Sequence, residues 1–536
     1  MKVGNAALPA FAAILAGCQS LPGDAPLVPV DLLISGGTVY DGTGSPATAD
    51  DLVISGGLVA YLGPDARSRF LPAREIDATG LVVAPGFIDP HTHAAGDLSS
   101  DRADRRANLP FAFQGVTTVV VGNDGGGSPD VAAQAELARA QGIGTNVAYL
   151  AGFGPIREEV LGKEDRAPEA DEMAVMKARL RGAMCEGAWG FSAGLYYVPQ
   201  AYSQTDEVVT LARVASGLGG YYDTHMRDES TYNVTVTGAL AETLEIGRLA
   251  DIPVHIAHIK ALGPAVWGHS TRMIEAIEDA RAAGQRVTAD QYPWEASGTR
   301  ISAALVPRSA LEGGLDALRK RLKEPETRAA IRAAMVDGIA RRGGASKLLI
   351  TGRLGEAEID TGLTLEEYAE AANIEPVDAA IAILMQGDAR VASFNMSTDD
   401  IAAFAVRDWV VTGSDGSSGH PRKYGSFPKA YRDLVLGEPG MDLARFVERS
   451  SGQTAKLIGL QDRGRLAPGM AADVVIFDPV TFAPQATYQA PRELSVGVRH
   501  LFVNGEQVIA EGAYTGSLPG RPLLKRTACA QGNDDS

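Results

Sequence analysis

The chain has 536 residues and a formal charge of −17, from 66 acidic and 49 basic residues. A surface that binds nucleic-acid phosphates would oppose this overall field, so no nucleic-acid partner is expected. The length suffices for a large enzyme domain with an accessory module. The three cysteines, Cys18, Cys185 and Cys529, have no paired spacing, so the sequence indicates neither a disulfide framework nor a cysteine metal site.

Residues 1–29 are predicted to be a lipoprotein-type signal and linker. The apolar run Ala6–Ala16 is too short to span a bilayer, and the LAGC box that follows ends at Cys18. This box resembles a bacterial lipoprotein signal, in which Cys18 would be lipidated; a plain secretory signal is the alternative. The resemblance, with Gln19 after the cysteine, implies export to the periplasm, on the periplasmic face of the outer membrane if the lipid anchor is present.

Two separated segments have the same β-rich character. Residues 30–80 contain DLLISGGTVYDGTG and DDLVISGGLVAYLG, and residues 464–520 contain Gly464–Pro479 and Val498–Glu511. Alternating apolar residues between Gly-rich turns are typical of short strands. We therefore predict one small β-sandwich formed by both chain ends, followed by a tail at 521–536.

The middle, residues 81–463, alternates strand-like apolar runs with helical stretches. The eight strand candidates are Leu81–Ile88, Val116–Gly122, Asn146–Phe153, Trp189–Leu195, Tyr221–His225, Pro253–His258, Arg286–Tyr292 and Trp409–Ser414. Eight βα units predict an α/β fold of the TIM-like (β/α)8 barrel type, with the active site at the C-terminal strand ends.

A long connection separates the last two strand candidates. This insertion, about 294–408, contains the helical stretches Ala317–Ala340 and Leu365–Met385. Its length predicts a lid or subdomain rather than a simple loop.

Candidate metal ligands follow five of the predicted strands. They are His91 and His93 after the first, Asp124 after the second, His225 at the end of the fifth, His258 after the sixth and Asp415 after the eighth. Imidazole and carboxylate are zinc ligands, and six such side chains on one barrel rim predict a metal site. For Asp124, the alternative is a residue of an Asn-Asp-Gly turn. His255, predicted to face away from the site, is interpreted as structural or as a residue that supports the ligands, as are His269, His420 and His500.

Several motifs resemble the amidohydrolase superfamily, and within it the D-aminoacylase branch. They are PGFIDPHTH, GVTTVVVGND, GFSAGLYYVP, THMRDE, PVHIAHIK, DQYPW, SDGSSGHPRKYGSFP and PGMAADVVIFDP. The resemblance runs from about Asp31 to about Gly516. It implies one or two zinc ions held by the candidate ligands, with Asp415 as the catalytic aspartate. It also implies a site for the substrate carboxylate made of Tyr197, Lys260, Tyr292 and Arg422.

Two positions depart from the family pattern. Asp124 stands where the family usually has a cysteine; a carboxylate is a competent but harder zinc ligand, so the number and preference of metal ions stay open. Ile259 replaces a second histidine that is common beside His258 in the family.

The resemblance implies hydrolysis of the amide bond of N-acyl amino acids, D rather than L. Zinc would acidify a water and polarise the amide carbonyl, and Asp415 would move the proton from the water to the leaving nitrogen. A dipeptidase or cyclic-amide hydrolase of the same superfamily is the alternative activity. A lipid-anchored binding protein on an inactive scaffold is disfavoured because all the candidate ligands are present.

Overall fold

The computed structural model describes residues 26–355, 361–438, 440–527 and 529. The predicted signal box and its Cys18 lie outside these residues. The first strand, Val28–Ser35, begins inside the predicted linker. None of the described helices is long and apolar enough to cross a membrane.

Eight parallel strands form the predicted barrel, each beside its neighbour in chain order. They are Phe87–Asp89, Val116–Val121, Asn146–Gly152, Gly190–Gly194, Tyr221–His225, Val254–Ile256, Val287–Gln291 and Val410–Thr412. Backbone contacts just beyond the strand ends join the eighth strand to the first. The Asp415 N–H donates to the His91 carbonyl at 3.0 Å, and Thr92 and Gly416 form an isolated parallel β-bridge. The predicted (β/α)8 fold is confirmed.

Helices cover the outside of the barrel, so its strands are buried on both faces, as expected for parallel sheets. The covering helices of eight or more residues are Val131–Gln141, Phe153–Leu161, Ala170–Glu186, Thr205–Gly217, Val236–Ala250, Ser270–Ala282, Thr398–Ala405, Arg422–Ala430 and Leu443–Ser450. Shorter helices lie at Ala95–Leu98, Ala103–Arg106, Leu109–Ala112 and Gly452–Ile458.

The prediction of one strand at Leu81–Ile88 is wrong, because the chain changes sheets at Gly86. Val82–Pro85 belongs to the sandwich and Phe87–Asp89 to the barrel. A Cβ atom at residue 86 would lie 2.2 Å from Cγ2 of Thr117, so only glycine fits this crossing. The apolar run is continuous because both strands are fully buried.

Strands from both chain ends form the predicted sandwich. One sheet contains Leu58–Gly63, Asp51–Ser55, Val28–Ser35 and Phe70–Asp77. The other contains Thr38–Val39, Val82–Pro85, Val474–Phe477, Val498–Val503, Glu506–Ala510 and Ala513–Tyr514. Their inner faces share one apolar core, in which Leu32 and Ile54 of the first sheet join Ile476 and Phe502 of the second.

The insertion is a subdomain with its own apolar core. Its antiparallel sheet contains Ala296–Arg300, Gly387–Phe394 and Leu348–Gly355, and its helices are Ile301–Leu305, Leu315–Arg321, Pro325–Arg341, Leu365–Ala372 and Pro376–Gln386. Each of the two predicted helical stretches is helical and contains two helices. Pro325 and Pro376 start new helices, where a missing backbone N–H costs nothing.

A disulfide joins Cys185 to Cys529, which corrects the expectation that the cysteines are unpaired. The two residues are 344 positions apart, so local spacing could not reveal the pair. Part of the predicted tail is also ordered. Pro522–Leu523 pairs with the third barrel strand, and the Trp189 indole N–H donates to the Leu523 carbonyl at 2.7 Å.

Candidate metal centre

The six candidate ligands lie at or just beyond the C-terminal ends of their strands. Three of them, Asp124, His258 and Asp415, have left-handed backbone φ values of 55°, 36° and 47°. Such conformations cost of order 1–3 kcal/mol each for non-glycine residues and concentrate at functional sites. Asp124 does lie in the Asn-Asp-Gly turn, and this turn directs its side chain into the ligand cluster.

Asp124 lies at the centre of the cluster. Its Oδ1 is 3.4 Å from Nε2 of His91, 3.3 Å from Nε2 of His258 and 3.7 Å from Nδ1 of His225. Its other oxygen, Oδ2, is 3.5 Å from Nε2 of His93. One carboxylate therefore contacts all four predicted histidine ligands.

Asp415 also contacts the histidines of the cluster. Its Oδ1 lies 3.1 Å from Nε2 of His93 and 3.8 Å from Nε2 of His91. The imidazoles of His225 and His258 are also in direct contact, with Nδ1 and Nε2 2.9 Å apart. All six predicted ligands are thus brought together, and their roles as ligands stay predictions.

The donor set fits a metal ion. Four atoms in a tetrahedron about 2.0–2.2 Å from zinc lie roughly 3.3–3.6 Å apart, close to the spacings around Oδ1 of Asp124. That oxygen and Nε2 of His91 are buried and have no hydrogen-bond partner in the described part of the chain. Buried polar atoms without partners are rare, and a shared cation would satisfy both.

The cluster favours positive charge on three of its histidines, since Asp124 and Asp415 outweigh burial and raise the pKa of His93 as well as those of His91 and His258. Burial opposes protonation of His91, but Asp124, Asp290 and Asp415 outweigh it and raise its pKa to about 10. Burial and Lys260 likewise oppose protonation of His258, but Asp415 and Asp124 raise its pKa to about 9. The carboxylates therefore stabilise cations at this rim, protons or a metal ion.

Sequence reasoning missed Glu229, a buried residue four positions after His225 in the quoted THMRDE motif. Its Oε2 is 3.6 Å from Nε2 of His225, and its Oε1 is 3.3 Å from Nδ1 of His258. These are the ring nitrogens that point away from Asp124. A carboxylate in that position orients metal-ligating imidazoles and fixes their tautomers. The i, i+4 spacing to a ligand histidine was the available signal.

The expectation that His255 faces away from the site is wrong. Its Nε2 contacts Oδ1 of buried Asp290 at 3.1 Å, and the same oxygen accepts from the His258 backbone N–H at 2.9 Å. Oδ1 of Asp290 also lies 3.7 Å from Nδ1 of His91. The period-two argument failed because the strand ends at Ile256, before His258. His255 is therefore a structural residue, as predicted, but beneath the cluster.

The four predicted substrate-binding residues line one cavity of about 530 Å³ with the cluster. Nη1 of Arg422 forms a buried ion pair with Oδ2 of Asp415 at 2.7 Å, and the guanidinium lies 4.8 Å from the centre of the Tyr292 ring. The Tyr197 ring packs against His225, with centroids 4.8 Å apart. Nζ of Lys260 contacts Oε1 of Glu229 at 2.6 Å.

His420 holds Arg422 in place. Its Nε2–H donates to the Ala296 carbonyl at 3.0 Å, which leaves Nδ1 to accept from the Arg422 backbone N–H at 3.1 Å. The prediction that His420 is structural therefore fits its contacts. Burial opposes ionisation of Asp415, but Arg422 and then His258 outweigh it and hold the pKa of that carboxyl well below its usual value.

Barrels that gather histidines and carboxylates at this rim form the class of metal-dependent hydrolases, and this chain has that architecture. Residues 74–509 match the model of the Amidohydrolase family, to which the chain belongs. It is 34% identical over 534 residues to the D-aminoacylase of Alcaligenes xylosoxydans xylosoxydans, a match that covers 93% of this chain and 98% of that protein. The N-acyl-D-glutamate deacylase of the same organism is 33% identical, over 94% of this chain and 98% of the relative.

A solved structure is similar over its whole length. The N-acyl-D-glutamate deacylase from Bordetella bronchiseptica, crystallised with zinc and a phosphonate inhibitor, matches with a TM-score of 0.77 and 31% identity. The match covers 92% of this chain and 99% of that one. The predicted membership of the D-aminoacylase branch is confirmed.

Proposed function

We propose that this protein is a zinc-dependent hydrolase that cleaves the amide bond of N-acyl-D-amino acids to a carboxylate and a free amino acid. The observation that carries the proposal is the convergence of four histidines and two carboxylates beside the buried guanidinium of Arg422. The named activities of the similar proteins support the same substrate class.

The residues that would hold zinc are His91, His93, Asp124, His225, His258 and Asp415. When bound, zinc supplies Lewis-acid chemistry that polarises the amide carbonyl and acidifies the attacking water. Asp415 accepts the proton of that water and returns it to the leaving nitrogen. Arg422 has a buried Nε–H without an acceptor among the described residues, and this donor suits the substrate carboxylate.

Lys260 has a conditional role in substrate binding. Its ammonium contacts Glu229, the His258 carbonyl and Nδ1 of His258. With a proton on Nδ1, the His258 ring donates to Glu229 and cannot accept from Lys260. One of the three N–H groups of Lys260 is then free for the substrate carboxylate.

An acidic substrate side chain fits the wall formed by the insertion. Arg300 and Arg390 are opposite each other in the sheet register and both line the cavity. Like charges directly opposite are destabilising, and neither arginine has an ion-pair partner among the described residues. Burial, Arg300 and Arg422 lower the pKa of Arg390. A second carboxylate on the substrate would relieve this repulsion.

The test is metal analysis of the purified protein with a screen of N-acetyl-D- and L-amino acids, dipeptides and cyclic amides. We expect bound zinc and the highest kcat/KM for N-acetyl-D-glutamate or N-acetyl-D-aspartate. N-acetyl-D-glutamine, whose side chain is neutral, is the control substrate. Arg390→Met should raise the KM for the substrates with an acidic side chain but not for this control. Cleavage of dipeptides or cyclic amides, without deacylation of any N-acetyl amino acid, would contradict the proposed activity and favour the alternative one.

We also propose export to the periplasm and anchoring through a lipid on Cys18. The Cys185–Cys529 disulfide supports an oxidising compartment, because disulfides are rare in the reducing cytosol. A Cys18→Ala variant should move from the membrane fraction to the soluble periplasm. Identical soluble fractionation of both proteins would contradict anchoring, and a reduced Cys185–Cys529 pair in purified protein would remove the support from the disulfide.

A further inference from the structure

A second cavity, of about 410 Å³, lies outside the barrel wall between the last two strands and their covering helices. It shares no lining residue with the metal-site cavity. Apolar side chains form much of its lining, among them Ile401, Leu434 and Met441. The volume lies in the range of about 300–1,000 Å³ that small-molecule sites occupy.

Two buried polar side chains line this cavity, and each has a nitrogen without a hydrogen-bond partner among the described residues. Gln291 ends the seventh strand and is 5% exposed, and Arg449 of the helix Leu443–Ser450 is 2% exposed. Nε2 of Gln291 and Nε of Arg449 are both buried and find no acceptor in the described ranges. Both groups are hydrogen-bond donors, so the cavity requires an acceptor.

The positive charge of Arg449 is also uncompensated. Its Nη1 donates to the Ala405 carbonyl at 2.5 Å, but no carboxylate of the described residues lies within ion-pair distance. Burial and the neighbouring Arg445 lower the pKa of Arg449 to about 9.

The other charged residues of the lining do not neutralise Arg449. Lys429 pairs with Asp433 at 2.7 Å, and Arg445 pairs with Glu448, a residue outside the lining, at 2.8 Å. The two remaining acidic residues of the lining, Glu295 and Glu438, are exposed.

We propose that this cavity is a binding site for a small carboxylate that carries an apolar chain. The carboxylate accepts hydrogen bonds from Arg449 and Gln291, and the chain packs against Ile401, Leu434 and Met441. A buried guanidinium without a counter-charge is costly, and a water would satisfy its N–H groups without neutralising it. An anion does both, and the planar arginine fork matches a carboxylate.

Hexanoate is the probe, and its binding to the full-length protein is measured by calorimetry, with hexanamide as the neutral analogue. We expect binding that is at least tenfold weaker for hexanamide and for the Arg449→Gln variant. Ala402→Phe should also abolish binding, because it fills the cavity from an exposed helix position without touching the buried arginine. Arg422→Ala should bind hexanoate as the wild type does.

Four results would overturn the proposal. Absence of hexanoate binding would indicate that the cavity holds only water. Equal binding of hexanoate and hexanamide, or retention of binding in both cavity variants, would remove the role of Arg449. Loss of binding in Arg422→Ala would assign hexanoate to the metal-site cavity instead. None of these results depends on amide hydrolysis, so the proposed activity and this site are tested separately.

Discussion

Zinc binding at the barrel rim should depend steeply on pH. In the metal-free protein the pKa of His91 is raised to about 10 and that of His258 to about 9, so both rings carry protons at neutral pH. Burial, with His258, lowers the pKa of His225 to about 4, so that ring is already neutral. Because a metal-ligating imidazole must give up its proton, zinc binding releases two protons from His91 and His258. His93, whose pKa Asp124 and Asp415 raise against burial, adds to this release.

The apparent zinc affinity should increase with pH. Raising the pH removes the competing protons, so His91 and His258 alone increase the apparent zinc affinity by about 100-fold per pH unit below pH 9. Between pH 6 and 8 their contribution is an increase of about 10⁴-fold, or about 5.5 kcal/mol. Between pH 9 and 10 the slope of zinc affinity against pH corresponds to the release of about one proton from these two rings. Above pH 10 their contribution to the slope disappears.

The assay is competition of the metal-free protein with a fluorescent zinc chelator from pH 6 to 8.5, corrected for the chelator's own protonation. Proton release is measured independently by calorimetry in buffers of different ionisation enthalpy. Asp124→Asn is the control variant: it removes a carboxylate that raises the pKa of both His91 and His258, so the slope should be smaller. An affinity independent of pH between 6 and 8 would refute this reasoning.

Three substitutions test the other residues of the site. Asp415→Asn should lower kcat by about 10²–10⁴-fold while zinc content stays largely unchanged, because the proton-transfer group is lost and the four histidines and Asp124 remain to hold zinc; loss of zinc as well would make Asp415 mainly a ligand. Arg422→Ala should raise the KM for N-acetyl-D-amino acids but not for their carboxamides. It should also move the acidic limb of the kcat–pH profile to higher pH, since Arg422 holds the pKa of Asp415 low; an unmoved limb would contradict that coupling. Glu229→Gln should weaken zinc binding by about 10–100-fold, measured by chelator competition, and unchanged zinc binding would show that Glu229 does not orient the histidines.

The sequence alone determined the barrel and the composition of its rim. Parallel strands are buried on both faces, so they appear as continuous apolar runs, and the residue after each run falls at the same end of the sheet. For that reason His91, His93, His225 and Asp415 could be placed together before any contact was known. Asp124 could be placed as well, but its contact with four histidines depends on the left-handed turn that holds it.

The tertiary structure decided the features that depend on contacts between distant parts of the chain. The Arg422–Asp415 pair depends on where a helix begins after the eighth strand, and the Cys185–Cys529 disulfide depends on a tail that pairs with the third barrel strand. Glu229 is separated from His258 by a complete βα unit. Its position between two ligands could therefore be recognised only from the three-dimensional arrangement of both strand ends. Local periodicity determines which way a side chain points along its own strand; the packing of non-local segments determines what it meets there.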